Sequence, residues 1–261
     1  MVRFSVCIEM IFRELPFLDR IDAVAKAGFS SFEFWRWRPK DIEAISERKE
    51  ENALDIAAFC VDPMGQIVDQ RTRDEFIKGV KDSIEVASRL ECSTLIVTTG
   101  NEMEGVSREV QHESIVESLK EAAELVEEAD VTLVLEPLNI LVDHRGYYLH
   151  SSHEGFKVLE QVSSPNVKLL YDAYHQQITE GNIIDTISKN LGSIGHIHTA
   201  DVPGRHEPGT GEIDYANVFS KIDELGYQGF VGLEFRPLMD SSEALKKVKR
   251  IAASSSSQDC R

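Results

Sequence analysis

Eight short apolar runs alternate with eight longer amphipathic stretches along this chain, and that alternation leaves few folds open. The runs are 3–8, 31–35, 55–60, 94–98, 131–136, 167–171, 195–199 and 230–234. Between them apolar residues recur at i, i+3 and i+4 over 17–27, 41–52, 73–90, 115–128, 152–162, 183–191, 215–225 and 242–251. A strand-length run followed each time by a helix-length one predicts a parallel sheet with crossover helices. The count of eight predicts closure into a single α/β domain, a (β/α)8 barrel over residues 1–253. An open doubly wound sheet shares the periodicity. A dinucleotide-binding version of it would carry a GxGxxG turn after the first strand, and none is present.

Punctuation agrees with the elements. Gly28 and Gly226 each follow a helical stretch as a C′ residue would, and Asp214 opens the seventh helix as an N-cap. The tail 254–261 is polar and low in complexity and reads as disordered.

Four successive runs end on a side chain able to hold a metal or move a proton. VTLVLE ends on Glu136, VKLLYD on Asp172, IGHIH on His198 and FVGLE on Glu234. In a barrel these ends rim one mouth, where the fold places its chemistry. Taken singly, a strand-end carboxylate caps the next helix or pairs with a lysine. Taken together, four such groups would leave negative charge uncompensated without a cation. Three carboxylates and an imidazole form a hard, oxygen-rich set suited to one divalent metal ion, Mn2+, Mg2+ or Co2+, with Zn2+ also open.

Other candidates lie close by. His175, three residues beyond Asp172, can reach a substrate hydroxyl or sit exposed in its loop. Arg205, in a loop rich in glycine and proline, can hold a substrate oxygen through its donor fork or pair with Glu207 or Asp201. His196 shares a strand face with His198 and is expected inside the barrel without metal contact. Glu33 is a supporting candidate on the second strand. Trp35-Arg36-Trp37-Arg38 offers two indoles and two cations, to line a pocket or to meet another subunit.

The formal net charge of −17 disfavours nucleic acid as a partner and favours a small molecule. Cys7, Cys60, Cys92 and Cys260 form no CxxC pair, and reduced, buried thiols are expected at Cys7 and Cys60. There is no secretory leader pattern and no run of about 18 apolar residues, so no membrane partner is expected and a cytoplasmic location is.

At these motifs the chain resembles the hydroxypyruvate isomerase family, within the xylose-isomerase-like TIM barrels. The resemblance is carried by Glu136-Pro137-Leu138-Asn139, Tyr171-Asp172-Ala173-Tyr174-His175, His196-Ile197-His198-Thr199-Ala200-Asp201 and Gly232-Leu233-Glu234-Phe235. Gly204-Arg205-His206-Glu207 and the following Pro208-Gly209-Thr210-Gly211-Glu212-Ile213-Asp214-Tyr215 belong to it as well. It spans nearly the whole chain and is densest from Glu136 to Glu234.

The resemblance implies a divalent metal held by Glu136, Asp172, His198 and Glu234. It implies that the two glutamates act as acid and base and that His175 and Arg205 contact substrate. It implies a sugar or hydroxy-oxo acid as substrate, and a homodimer or homotetramer. Two positions depart from the pattern. Hydroxypyruvate isomerases typically carry Gln where this chain has His198, whereas related ketose 3-epimerases carry His. Those epimerases tend to have Glu six residues beyond the first ligand, where this chain has Val142.

The expected activity is therefore isomerisation or epimerisation of a small α-hydroxy carbonyl compound through an enediolate. A lyase or dehydratase acting on a sugar-derived substrate would use the same groups. Apurinic-site endonucleases share the barrel, but need a histidine-richer metal cluster and a basic face. A non-catalytic sugar-binding barrel would need no metal.

Overall fold

In the computed structural model, which describes residues 2–255, nine parallel strands join in one sheet. They are β1 (Arg3–Cys7), β2 (Ser31–Glu33), β3 (Asp55–Ile56), β4 (Phe59–Cys60), β5 (Thr94–Val97), β6 (Thr132–Leu135), β7 (Val167–Asp172), β8 (Ile194–Thr199) and β9 (Phe230–Leu233). The sheet order is β3-β2-β1-β9-β8-β7-β6-β5-β4. Its two ends, β3 and β4, are neighbours in the chain, parted by Ala57 and Ala58. Backbone bonds from Ala57 to Phe32 (2.8 Å), Cys60 to Trp35 (3.0 Å) and Val61 to Ile96 (3.0 Å) carry the sheet across that seam. The two pieces are halves of the third expected strand, so the eight-strand barrel holds with one stave interrupted.

The helices are α1 (Phe17–Lys26), α2 (Ile42–Glu51), α3 (Arg73–Leu90), α4 (Arg108–Glu128), α5 (Ser152–Val162), α6 (Ala173–Thr179), α7 (Ile183–Asn190), α8 (Tyr215–Glu224) and α9 (Ser241–Ser255). The expected caps are present. Asp214 accepts the Asn217 amide at 3.2 Å, and Gly28 and Gly226 take φ of 76° and 68°, the left-handed values of a C′ residue. Two helices differ from expectation. α4 starts at Arg108 rather than 115, because its first turns dock through polar groups: Gln111 bonds the Met103 and Val106 backbone, and Ser114 bonds the Ile67 carbonyl. α6 was not expected at all. α9 runs through Ser255, so only 256–261 of the expected tail, with Cys260, lies outside the described residues.

Strand residues alternate between two layers, as side-chain direction on a strand requires. Val6, Phe32, Leu95, Leu133, Leu169, Ile197 and Val231 pack outward into the helix layer. Ala58, Ile96, Val134 and Leu170 form a separate apolar cluster filling one side of the barrel interior. On the other side the buried residues are Ser5, Glu33, His196 and His198. The interior is therefore apolar on the β4–β7 side and polar on the side of β1, β2, β8 and β9. No helix among the described residues is long and apolar enough to cross a membrane.

Candidate active site

Each of the four strand ends delivers its side chain to the same place. Glu136 and Glu234 stand one residue beyond β6 and β9, while Asp172 and His198 lie in β7 and β8. All four are buried, and each offers one ligand atom within 4.8 Å of the others. His198 Nδ1 is 3.5 Å from Glu136 Oε1 and 3.5 Å from Glu234 Oε2. The β7–β8 register pairs Asp172 directly with His198, which fixes both at one height.

Neighbouring groups hold the three carboxylates unequally. Asp172 caps α6: its Oδ1 accepts the Tyr174 amide at 2.7 Å and the His175 amide at 3.2 Å. Its Oδ2 is left 3.6 Å from His175 Nε2 and 3.8 Å from Arg205 Nη2. Glu234 Oε1 accepts the Trp35 indole at 2.7 Å, with Cys7 Sγ 3.8 Å away, and Oε2 accepts from Arg205 Nη2. Among the described residues Glu136 Oε1 and His198 Nδ1 have no hydrogen-bond partner.

Charge balance decides how these groups titrate. Burial holds the Glu136 and Asp172 carboxyls above the usual carboxylate range, and each is raised further by neighbouring carboxylates. Burial pushes Glu234 up too, but the Arg205 guanidinium and the His198 ring outweigh it and hold its carboxyl low. Burial disfavours a charged His198, yet Glu234 and Glu33 together raise it well above the imidazole range. Beneath it, Glu33 accepts from Ser5 Oγ, lies 3.0 Å from His196 Nε2 and makes a close charge contact of 2.9 Å with His198 Nε2. His196 thus lies inside the barrel, the interior position expected of it, and meets Glu33. Glu33, His196 and His198 form a second group of metal-capable atoms. In that group Glu33 Oε1 and His198 Nε2 have no hydrogen-bond partner among the described residues but face each other as a charge pair at 2.9 Å.

His175 is fully buried rather than loop-exposed. Asn139 sets its tautomer. The Asn139 Oδ1 accepts the Val142 and Asp143 amides at 2.9 and 3.2 Å, so its Nδ2 must face the other way and donate to His175 Nδ1 at 2.7 Å. The Asn139 backbone amide donates to the same nitrogen at 3.2 Å. The proton therefore sits on Nε2, which has no partner among the described residues. Burial, then the charge of Arg205, holds the ring neutral.

Arg205 pairs with Glu234 and Asp172 and not with Glu207 or Asp201, and its guanidinium lies 5.3 Å over the Tyr174 ring. Its backbone is in the left-handed region, at φ 58°. Asp201 instead organises the loop, accepting the amides of Val202, Gly209, Thr210, Gly211 and Ile213 at 2.8–3.1 Å. In the Trp35–Arg38 segment, Arg36 and Arg38 turn to Asp62 and Asp82, and Trp35 turns to Glu234. The bonds from Asn139 and Trp35 were not foreseen. Asn139 stood in the quoted Glu136 motif, whereas nothing in the sequence links Trp35 to a residue 199 positions away.

The donor set fits a divalent cation. Three buried carboxylates face one another with only His198 and Arg205 as nearby positive groups, and an oxygen and a nitrogen aimed into the cluster lack partners. Such an arrangement is costly unless a positive charge completes it.

The sequence is 32% identical over 253 residues to hydroxypyruvate isomerase of Escherichia coli (strain K12), covering 94% of this chain and 98% of that one. It is 30% identical to a 2-oxo-tetronate isomerase of Pectobacterium atrosepticum, covering 94% and 96%. A crystal structure from Brucella melitensis, described as an AP endonuclease of family 2, superposes with a TM-score of 0.91 at 31% identity over 96% and 99% of the chains. Residues 21–251 match the family described as xylose isomerase-like TIM barrel, and the chain belongs to that family.

Proposed function

We propose that this enzyme, an isomerase by its kinship, interconverts small hydroxy-oxo acids such as hydroxypyruvate through an enediolate, with Glu136 and Glu234 as the acid and base. One observation carries the reading: four buried donor groups from four strand ends converge within 4.8 Å, with polar atoms left unpartnered. The substrate class draws support from the names of the two curated relatives.

Glu136, Asp172, His198 and Glu234 would hold the divalent cation, Mn2+, Mg2+ or Co2+, which when bound supplies Lewis acidity that eases loss of a proton beside a carbonyl. The two glutamates stand just beyond β6 and β9, with β7 and β8 between those strands, so they would flank a substrate from separate sides. One takes the proton from carbon and the other returns it; positioned groups of this kind contribute about 10²–10⁴-fold. Return to the neighbouring carbon gives isomerisation, and return to the opposite face of the same carbon gives epimerisation. His175 Nε2–H and the Arg205 fork would donate to substrate oxygens where negative charge develops. The homodimer or homotetramer expected from the resemblance is part of the same proposal, read by light scattering.

Likeness to the Brucella AP endonuclease raises a phosphodiesterase reading. The acidic balance, 45 Asp and Glu against 28 Lys and Arg, opposes a DNA substrate. The two metal-capable groups among the described residues share His198, so they do not form two independent metal seats.

The deciding measurement is deuterium exchange from heavy water into hydroxypyruvate, 2-oxo-tetronate and simple ketoses, with and without EDTA. Exchange that EDTA abolishes is expected. No exchange into any of them would defeat the proposal, and release of water or a cleaved fragment would favour the lyase alternative.

A further inference from the structure

We infer that Trp35 is a positioning residue for Glu234: its indole N–H fixes one carboxylate oxygen for proton transfer and leaves the other to the ligand cluster. The inference rests on the proton-transfer reading above.

Trp35 Nε1 donates to Glu234 Oε1 at 2.7 Å. Glu234 Oε2 accepts from Arg205 and stands 3.5 Å from His198 Nδ1, inside the cluster. The terminal torsion of a glutamate is broad and nearly two-fold, so an untethered carboxylate can exchange its two oxygens. A donor on Oε1 and another on Oε2 remove that freedom.

The rest of the segment is anchored away from the cluster, chiefly through its two arginines. Arg36 Nη2 binds Asp62 Oδ1 at 3.0 Å, and Arg38 binds the Asp62 carbonyl at 3.2 Å and Asp82 Oδ2 at 2.5 Å. Trp37 Nε1 binds Ser83 Oγ at 2.9 Å, and the same oxygen accepts the Asp62 amide at 3.1 Å. The Cys60 amide binds the Trp35 carbonyl at 3.0 Å. Asp62, 1% exposed, thereby locks the loop to the strand seam, while Trp35 itself stays 40% exposed at the mouth. A residue anchored through its N–H to the cluster yet 40% exposed is placed to meet an entering substrate.

In the transfer, the substrate C–H bond breaks and an O–H bond forms on Glu234 Oε1. The electron pair stays with the substrate as its enediolate. Oε1 has two lone pairs: one keeps the indole N–H, and the one that the Cys7 thiol faces at 3.8 Å takes the proton, so Trp35 gains and loses no proton.

The test compares wild type, W35F and W37F with hydroxypyruvate and 2-oxo-tetronate. W35F keeps a ring and removes the donor. It is expected to lose roughly ten- to a hundredfold in kcat and in deuterium exchange, the size of a lost hydrogen bond to a charged group. KM and Mn2+ bound per chain stay near wild type. The chain has two tryptophans, so W37F leaves Trp35 as the reporter, and its emission should respond to hydroxypyruvate while that of W35F should not. Wild-type kcat in W35F, a defect confined to KM, or loss of Mn2+ would each overturn the inference. Should W35F not fold, a silent W37F emission overturns it and a responsive one supports it. A wild type that exchanges nothing sinks the proposed function; a wild type that exchanges and a W35F that equals it sink this inference alone.

Discussion

Glu33 and His198 meet in the barrel floor, 2.9 Å apart, in space that opens because position 232 has no side chain. A Cβ on Gly232 would stand 2.5 Å from Glu33 Oε1 and 2.6 Å from His198 Cδ2, inside any tolerable contact. The floor thus supports the ring from the face opposite the cluster.

Gly232→Ala should therefore displace His198 while leaving all four ligand residues in the sequence. Metal affinity is expected to fall roughly 10–100-fold, as for other losses of support behind a metal-binding histidine. Overpacking costs about 1–3 kcal/mol in addition. Calorimetric Mn2+ titration and a thermal melt read the two effects, and an unchanged affinity would show that the floor does not position the ring.

Glu136→Gln and Glu234→Gln should each lower kcat by about 10²–10⁴-fold, the range for a positioned acid or base. Both amides are isosteric with the carboxylates, so circular dichroism should match wild type. Near-normal turnover in either variant would refute the two-glutamate scheme.

Metal affinity should weaken as pH falls. Burial holds Glu136 and Asp172 protonated above the usual carboxylate range, and the Glu234 and Glu33 charges hold His198 protonated above the imidazole range. A cation must displace those protons, so binding releases them. The upward shifts put the onset of weakening above the ordinary carboxylate range, with the His198 contribution setting in above the ordinary imidazole range. Mn2+ titrations in buffers of different ionisation enthalpy count the protons, and a pH-independent affinity would contradict the assignment.

Metal should also stabilise the fold. At a free concentration one hundred times its dissociation constant, a cation bound only by the native state adds about 2.7 kcal/mol. EDTA should lower the melting temperature accordingly, and restoring Mn2+ should reverse the change. Identical melts with and without EDTA would mean that the cluster binds no cation.

Most of the barrel was legible because each strand is a short apolar run ending in a turn. The four ligand candidates were legible because each closes such a run. What escaped has physical reasons. Asp172 ends β7 and caps α6 at once, so strand and helix share a residue and no periodicity separates them. α4 begins on turns docked by hydrogen bonds, which leave no apolar stripe. The third strand breaks at Ala57 and Ala58, in a run that reads as continuous. His175 was found, but its burial and tautomer depend on Asn139, 36 residues earlier, a pairing that spacing alone does not reveal.

Arg205 carries one more consequence. A left-handed backbone on a residue with a side chain costs of order 1–3 kcal/mol and persists only while its surroundings impose it. Here they are the bonds from Arg205 to the Asp201 carbonyl (3.1 Å) and from the Arg236 amide to the Arg205 carbonyl (2.7 Å). The guanidinium therefore sits on a latch under tension. On warming, the latch should slip before the staves part, so catalytic inactivation should run ahead of melting by several degrees' margin; coincident curves would show the latch to be as firm as the barrel.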